Sequence, residues 1–317
     1  MTVARIGLPV WILTGPTGSG KSAWALRAAQ TMPVEIVSVD SALVYRGMDI
    51  GTAKPSRAER ERVAHHLIDT CDPLETYSAG RFVEEALQCI AAIHERRRVP
   101  LLVGGTMLYL RALLRGLAPL PQASPQVRRE LDERAAREGW GALHAQLAKV
   151  DPPAAARINS GDSQRIQRAL EVYYSTGRPI SELQRDTVSP LAGRRVRAWA
   201  LSPQRPVLHE HLEQRFHGML SQGLLDEVKS LHQRGDLHPA LASMRAVGYR
   251  QLWAHLDGQW GLEEATQRGI SATRQLAKRQ LTWMRSETHF QWLDPQANGA
   301  WASWNCDLSH EVRELGL

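Results

Sequence analysis

The sequence predicts an α/β fold: a parallel sheet covered by helices on both faces. Three observations predict it. Short aliphatic runs at residues 10–14, 34–39, 101–103 and 196–201 alternate with segments of helical period. The runs are mostly apolar, with Glu35 and Arg197 the charged exceptions, as in strands buried on both faces. Gly-rich or acidic turns follow the first three of them, where a parallel sheet binds its ligands.

Each element follows in order. Val10-Trp11-Ile12-Leu13-Thr14 reads as a strand, followed by a glycine-rich loop and a helix from Lys21 to about Thr31. Residues 34–39 form a second strand that ends at Asp40. Phe82, Ala86, Ile90 and Ile93 recur at helical spacing within a helix from Tyr77 to about Arg97. Pro100 introduces the strand 101–103, closed by Gly104-Gly105 and a helix from Thr106. Pro119, Pro121 and Pro125 then break the pattern, and only helical segments follow to about Asp186. Ser124 can cap a helix with Pro125 at its first position, and Gly139 can stop it. Asp162 can cap another, with Ile166, Leu170 and Tyr173 as its apolar stripe and Gly177-Arg178-Pro179 at its end. Residues 196–201 return to strand. Leu212, Phe216 and Leu220 then repeat every four residues before Gly223. The expected division is a first part of the core at 1–118, an all-helical insertion at 119–187, and core completion with a basic helical C-terminal region at 188–317. After Asp294 the sequence offers no interpretable motif.

Bulk properties narrow the class. At 317 residues with 43% hydrophobic and 23% charged, the chain can bury a large core and is not of disordered composition. Its longest apolar runs are far too short to span a bilayer, and the first ten residues carry no secretion-signal pattern. Cys71, Cys89 and Cys306 are scattered and form neither a disulfide framework nor a metal pair. A cytoplasmic monomer without membrane contact is the expectation. The formal net charge of +6 favours a polyanionic partner only weakly. Placement says more. No acid lies between Asp236 and Asp257, where Arg245 and Arg250 fall. None lies between Glu264 and Glu287, where Arg268, Arg274, Lys278, Arg279 and Arg285 fall. A solvated face mixes both signs, so these windows point to a phosphate-backbone footprint.

Gly15-Pro16-Thr17-Gly18-Ser19-Gly20-Lys21-Ser22 matches the eight-residue P-loop pattern between a strand and a helix. Its glycines let backbone N–H groups converge on phosphate oxygens, and the helix N-terminus adds positive potential. Lys21 neutralises the outer phosphates, and the Ser22 hydroxyl is placed to ligate Mg²⁺. The fold expectation becomes a P-loop NTPase-like parallel sheet core with an all-helical insertion domain and a helical C-terminal region. Asp40 fits three roles: a Mg²⁺ ligand, a general base for an incoming nucleophile, or a turn carboxylate. No aliphatic strand elsewhere ends in Asp-Glu, which disfavours a motor-type ATPase. Thr106 puts a hydroxyl at the same rim or caps the next helix. Gln164, Arg165 and Arg168 lie on the flank of their helix opposite Ile166 and Leu170, as RNA contacts or as solvated charges. In Lys278-Arg279-Gln280-Leu281-Thr282-Trp283-Met284-Arg285 basic residues interleave with an aromatic, as in RNA tracking or in an amphipathic helix with a core Trp. His65 and His66, beside Asp69, point to opposite faces of a strand, which favours structural roles over metal binding.

Beyond single motifs, ordered blocks carry a resemblance. The P-loop, Ser38-Val39-Asp40-Ser41-Ala42-Leu43-Val44-Tyr45, Gly51-Thr52-Ala53-Lys54-Pro55, His65-His66-Leu67-Ile68-Asp69 and the run from Leu101 to Tyr109 resemble successive blocks of the tRNA dimethylallyltransferases (tRNA isopentenyltransferases). So do the run from Gln164 to Val172, the run from Met244 to Arg250 and the run from Ala272 to Trp283. The match covers about Val10 to Leu293.

The resemblance implies transfer of a dimethylallyl group from dimethylallyl diphosphate to N6 of the adenosine on the 3′ side of the tRNA anticodon, at position thirty-seven, with release of diphosphate. It implies that the P-loop holds prenyl diphosphate rather than ATP, that Mg²⁺ assists, and that the tRNA anticodon stem-loop is the partner. It places Asp40 as general base, Thr106 on diphosphate and tRNA, Arg215 on the diphosphate, and Arg128 on tRNA. It also assigns tRNA contact to Asp40-Ser41-Ala42-Leu43, Gln164-Arg165-Ile166-Gln167-Arg168, Arg245-Ala246-Val247-Gly248-Tyr249-Arg250 and the stretch from Lys278 to Arg285. Eukaryotic relatives can carry a C-terminal zinc finger; with only Cys306 in the tail, none is expected here. Two rivals remain: a P-loop kinase of small molecules or nucleotides, and an RNA-binding P-loop module without catalysis.

Overall fold

In the computed structural model the described residues are 8–121, 124–185 and 187–317. The secretion-signal reading rests largely on residues 1–7, outside them, as is Asp186, the expected end of the helical stretch. In chain order the elements are β1 (Val10–Thr14), α1 (Lys21–Ala29), β2 (Val34–Ser38), α2 (Arg57–Arg62), β3 (His65–His66), α3 (Ala79–Glu95), β4 (Val99–Gly104) and α4 (Met107–Arg115). The helical stretch follows as α5 (Pro125–Val150), α6 (Pro152–Arg157), α7 (Ser163–Thr176) and α8 (Ile180–Leu183). The chain closes with β5 (Val196–Leu201), α9 (Arg205–Ser221), α10 (Leu224–His232), α11 (Tyr249–Leu256), α12 (Leu262–Arg285), β6 (Gln291–Leu293) and α13 (Ala300–Glu314).

Two compact units result: Met1–Arg111 with Gly193–Leu317, and Ala112–Ala192. The first holds a six-stranded, wholly parallel sheet in the order β3-β2-β4-β1-β5-β6. The P-loop strand β1 is central: Trp11 pairs with Leu101 on one side and Arg197 on the other. All five β1 side chains are buried, which explains its unbroken apolar run. The edge strands β3 and β6 have two and three residues, too short to show a period. His66 bonds Glu35 at 2.7 Å, and His65 bonds the Val63 carbonyl at 2.7 Å, so both are structural. Glu35 is buried on β2, and Arg96 above all, with His66, holds its carboxyl below the usual range.

The stretch after Asp294, in which the sequence offers no interpretable motif, carries helix α13. Helix α13 buries Trp304, Leu308 and Val312 in the same core as Trp11 and Trp199, with Trp304 edge-on to Trp199 at 5.9 Å. Its Glu311 accepts from the Trp11 indole at 3.1 Å and from Arg197 at 3.0 Å.

In the second unit Leu131, Leu143, Leu147, Ile166, Leu170 and Ile180 form a separate helical core. Ser124 caps α5 and Asp162 caps α7, each through its side chain, and α7 ends at Gly177 in the left-handed conformation. Gly139 leaves helical geometry (φ 79°, ψ 156°) and stops the first segment of α5 as expected; a second helical segment follows across the kink to Val150.

Candidate active site

The carboxyl ends of β1, β2 and β4 converge on one cleft of about 260 Å³, within the first unit. Gly104 makes the convergence possible: a Cβ there would lie 2.0 Å from the Val39 carbonyl oxygen, so β2 and β4 close up only around glycine. Thr14 ties β1 to the same corner by donating to the Gly104 carbonyl at 2.8 Å.

The loop after β1 turns through Gly18 (φ 77°) and Gly20 (φ 86°), a conformation costly for other residues. A Cβ on Gly18 would also meet Leu212 of α9 at 2.7 Å. Gly20 begins α1 without a side-chain cap, and Lys21 and Ser22 of the first turn line the cleft, where a helix N-terminus favours an anion. The Lys21 ammonium donates to the Pro16 carbonyl of its own loop at 3.3 Å. Burial, reinforced by Arg215 and opposed by Asp40, brings its pKa down to about 8. Burial also lowers Arg215, against the pull of Asp40. Lys21, Arg215 and Asp40 thus form one charge cluster lining the cleft.

Asp40 stands just past β2, and its Oδ1 accepts the Ala42 N–H at 2.9 Å. The turn role is therefore real, and it orients the carboxylate rather than excluding other work for it. Thr106 accepts the Ser41 N–H at 3.0 Å, joining the β4 exit to the β2 exit. Its carbonyl meanwhile receives the N–H groups of Tyr109 and Leu110 at the start of α4, so the helix-start and rim placements coexist. Apolar side chains line the same cleft: Leu212, Phe216 and Met219 of α9, Leu224 of α10 and Leu276 of α12. Charged and apolar side chains thus share one cavity.

A family model for IPP transferase matches residues 43–287, most of the chain. This chain belongs to the IPP transferase family. Among IPP transferase relatives, the tRNA dimethylallyltransferase of Methylococcus capsulatus is 56% identical over 292 residues, covering 92% of this chain and 94% of its own. That of Bordetella parapertussis is 55% identical over 278 residues, with 87% and 89% covered. The crystal structure of the tRNA isopentenylpyrophosphate transferase from Bacillus halodurans matches with a TM-score of 0.70 at 36% identity, over 97% of this chain and 98% of that one. A eukaryotic dimethylallyltransferase captured acting on tRNA matches with a TM-score of 0.81 at 27% identity, over 96% and 79%. Membership bears out the P-loop NTPase-like α/β core and decides against the kinase.

The segments matched to RNA contact in this IPP transferase divide by helix periodicity. Lys278, Arg279, Thr282 and Arg285 are exposed, as are Arg245, Arg250 and Arg165. The side chains of Ile166 and Met284 are fully buried, so these two offer RNA no side-chain contact. Tyr249 is buried beside the cleft, with Ala246, Val247 and Gly248 also lining it. Gln280 turns inward to the P-loop, accepting the Thr17 N–H at 2.8 Å. Arg128 and Arg168 reach the buried carboxylate of Glu171 at 3.3 and 3.2 Å, and Gln167 bonds Asp132 at 2.7 Å. Sequence reasoning missed Glu227, whose carboxylate accepts the N–H groups of Asp49, Ile50 and Gly51. In the sequence it is one of two acids in the first turn of an amphipathic helix, and nothing local sets it apart. It also took Phe216 only for core, when its ring also faces the cleft.

Proposed function

We propose that this chain transfers the dimethylallyl group of dimethylallyl diphosphate to N6 of the adenosine on the 3′ side of the tRNA anticodon, at position thirty-seven, releasing diphosphate. One observation carries the reading: Lys21, Ser22 and Arg215 share one cleft with the apolar side chains of Leu212, Phe216, Met219, Leu224 and Leu276, so the cavity suits a short prenyl tail joined to two phosphates. The amine of adenine is a weak nucleophile because its lone pair is delocalised into the ring, so the enzyme must improve the leaving group and hold the amine in line. The N6 lone pair attacks the carbon attached to diphosphate, and the C–O bonding pair leaves with the diphosphate oxygen. Backbone amides of the loop, Lys21 and Arg215 stabilise the charge that grows there. Asp40 accepts the N6 proton, a contribution of about 10²–10⁴-fold. Thr106, hydrogen-bonded to the residue after Asp40, holds the rim where base and diphosphate meet.

Mg²⁺ belongs to this reading. The exposed Ser22 hydroxyl and the Asp40 carboxylate line one cleft and are hard oxygen donors of the kind Mg²⁺ takes. Ser22 would hold it, and it would neutralise charge on the diphosphate. The target base stacks in the anticodon loop, so it must flip out at a cost of a few kcal/mol. The exposed basic residues of α12, Arg245, Arg250 and the arginines of the helical unit offset that cost through phosphate contacts. Action as a cytoplasmic monomer completes the proposal. Among the described residues no helix is long and apolar enough to cross a membrane.

The test is mass spectrometry of nucleosides from unmodified tRNA incubated with the protein, dimethylallyl diphosphate and Mg²⁺. N6-dimethylallyladenosine next to the anticodon is expected. Unmodified tRNA, together with calorimetry showing tighter binding of ATP than of dimethylallyl diphosphate, would overturn the reading.

A further inference from the structure

A side chain of α12 hydrogen-bonds the P-loop from outside the sheet. Gln280 projects from α12, accepts the Thr17 N–H at its Oε1 (2.8 Å) and donates from its Nε2 to the Gly105 carbonyl (2.8 Å). Thr17 lies within the loop after β1, and Gly105 immediately precedes Thr106 in the loop after β4. A single planar amide therefore joins the two loops that frame the phosphate end of the cleft. The fit is close: a Cβ on Gly105 would lie 2.5 Å from the Gln280 nitrogen and 3.0 Å from the Gly15 carbonyl oxygen. Gln280 also lines the cleft itself.

We propose that Gln280 is a positioning residue for the diphosphate, setting the curvature of the P-loop through the Thr17 amide. That amide is committed to Gln280, and the Ser19 N–H is committed to the Pro16 carbonyl at 3.1 Å. The loop is thereby pinned at two of its amides, and the cradle is left to Gly18, Gly20 and the first turn of α1. Pinning before the ligand arrives removes the ordering cost from the binding step. The chemistry calls for glutamine. The position needs an acceptor and a donor on one rigid group, and it must be neutral next to a polyanion. A glutamate there would accept from Thr17 but would repel both the Gly105 carbonyl and the diphosphate. Because Lys278, Arg279, Thr282 and Arg285 face outward from the same helix, the contact also makes the loop's shape depend on how α12 is seated. The identity of the diphosphate rests on the proposed function; the contact does not.

Two measurements on the full chain test the assignment: steady-state kinetics with dimethylallyl diphosphate and an anticodon stem-loop RNA, and calorimetry with inorganic pyrophosphate alone. For Gln280→Leu, loss of one to two hydrogen bonds should raise the prenyl diphosphate KM about tenfold and weaken pyrophosphate binding by a similar factor. The kcat and RNA affinity should stay near wild type. Gln280→Glu should raise the KM further, although it keeps the acceptor. Should Gln280→Leu fail to fold, Gln280→Asn, polar but too short to reach both partners, reports the same KM shift. Unchanged KM and pyrophosphate affinity would overturn the inference, and so would a loss confined to RNA affinity. A wild-type protein that prenylates no tRNA, yet binds pyrophosphate in a Gln280-dependent way, would defeat the proposed function and leave the positioning role standing.

Discussion

The Tyr249 hydroxyl donates to Glu227 Oε1 at 2.5 Å, and the same carboxylate accepts three successive backbone N–H groups from Asp49, Ile50 and Gly51. The loop carrying Gly51 and the ring of Tyr249 both face the cleft, and a Cβ on Gly51 would fall 2.5 Å from that ring. Glu227 thus fixes the part of the cleft wall formed by Gly51 and Tyr249. Four donors to one carboxylate leave no room for a neutral substitute: an amide would turn its own N–H groups against at least one of them. Glu227→Ala is expected to cost about 3 kcal/mol of stability, read by urea unfolding, because three half-buried donors and one exposed donor lose their acceptor. Tyr249→Phe removes one donor only and should cost about 1 kcal/mol.

Asp40 invites a cleaner substitution. Asparagine keeps an oxygen for the Ala42 N–H, so the turn survives, but it cannot take up a proton. Asp40→Asn should therefore lower kcat by about 10²–10⁴-fold while tRNA affinity and melting temperature hold. Unaltered turnover in single-turnover assays would remove Asp40 from the base role.

Lys21 makes diphosphate binding pH-dependent in a stated direction. In the free protein its pKa stands at about 8, depressed chiefly by burial. A bound diphosphate favours the ammonium and raises that pKa, so above pH 8 binding must take up a proton. Affinity for dimethylallyl diphosphate, followed by calorimetry, should fall as pH rises beyond 8, and Lys21→Arg should flatten that fall. Stability runs the other way. The unfolded chain holds the Lys21 proton up to its ordinary 10.5, so stability rises between about pH 8 and 10.5 and is lowest below it. Lys21→Met at pH 7 should then unfold no more easily than wild type, while losing diphosphate binding.

What the sequence made legible was what is local. The P-loop, the strand before it and the Asp40 turn depend on neighbours within a few residues, and all appear where the pattern put them. The caps at Ser124 and Asp162 belong to the same class. Gly139 shows the limit: the stop was legible, but whether a second helix starts straight after it depends on packing by Leu143 and Leu147. Gln280 and Glu227 were illegible in role because their partners lie 263 and roughly 180 positions away in sequence, brought close only by the folded sheet. Helix α13 was missed for a different reason. Its Trp304, Leu308 and Val312 do repeat at helical spacing, yet the surrounding polar residues gave no chemistry to attach to them.

Gly104 carries the strictest steric demand in the site. Its missing Cβ is what lets the Val39 carbonyl approach, and backbone on both sides cannot swing aside as a side chain would. Gly104→Ala should cost about 3 kcal/mol or more, seen as a fall in melting temperature and in soluble yield.

Within the helical unit, two arginines of α7 separate RNA contact from scaffolding. Arg165 is exposed, and its ion pair is with its own helix cap, Asp162, at 3.3 Å. Arg168 holds the fully buried Glu171 at 3.2 Å and the Pro121 carbonyl at 2.8 Å. Removing Arg165 frees nothing buried, whereas removing Arg168 leaves Glu171, among the described residues, with the ion pair to Arg128. Arg165→Ala should weaken tRNA binding, reduce the salt dependence of its affinity by about one unit of log–log slope, and leave melting unchanged. Arg168→Ala should instead lower stability by about 2 kcal/mol with the salt slope nearly intact, since a buried carboxylate loses part of its compensation. The opposite pattern, with Arg168 governing the slope and Arg165 the melting, would mean that α7 presents its other flank to the nucleic acid.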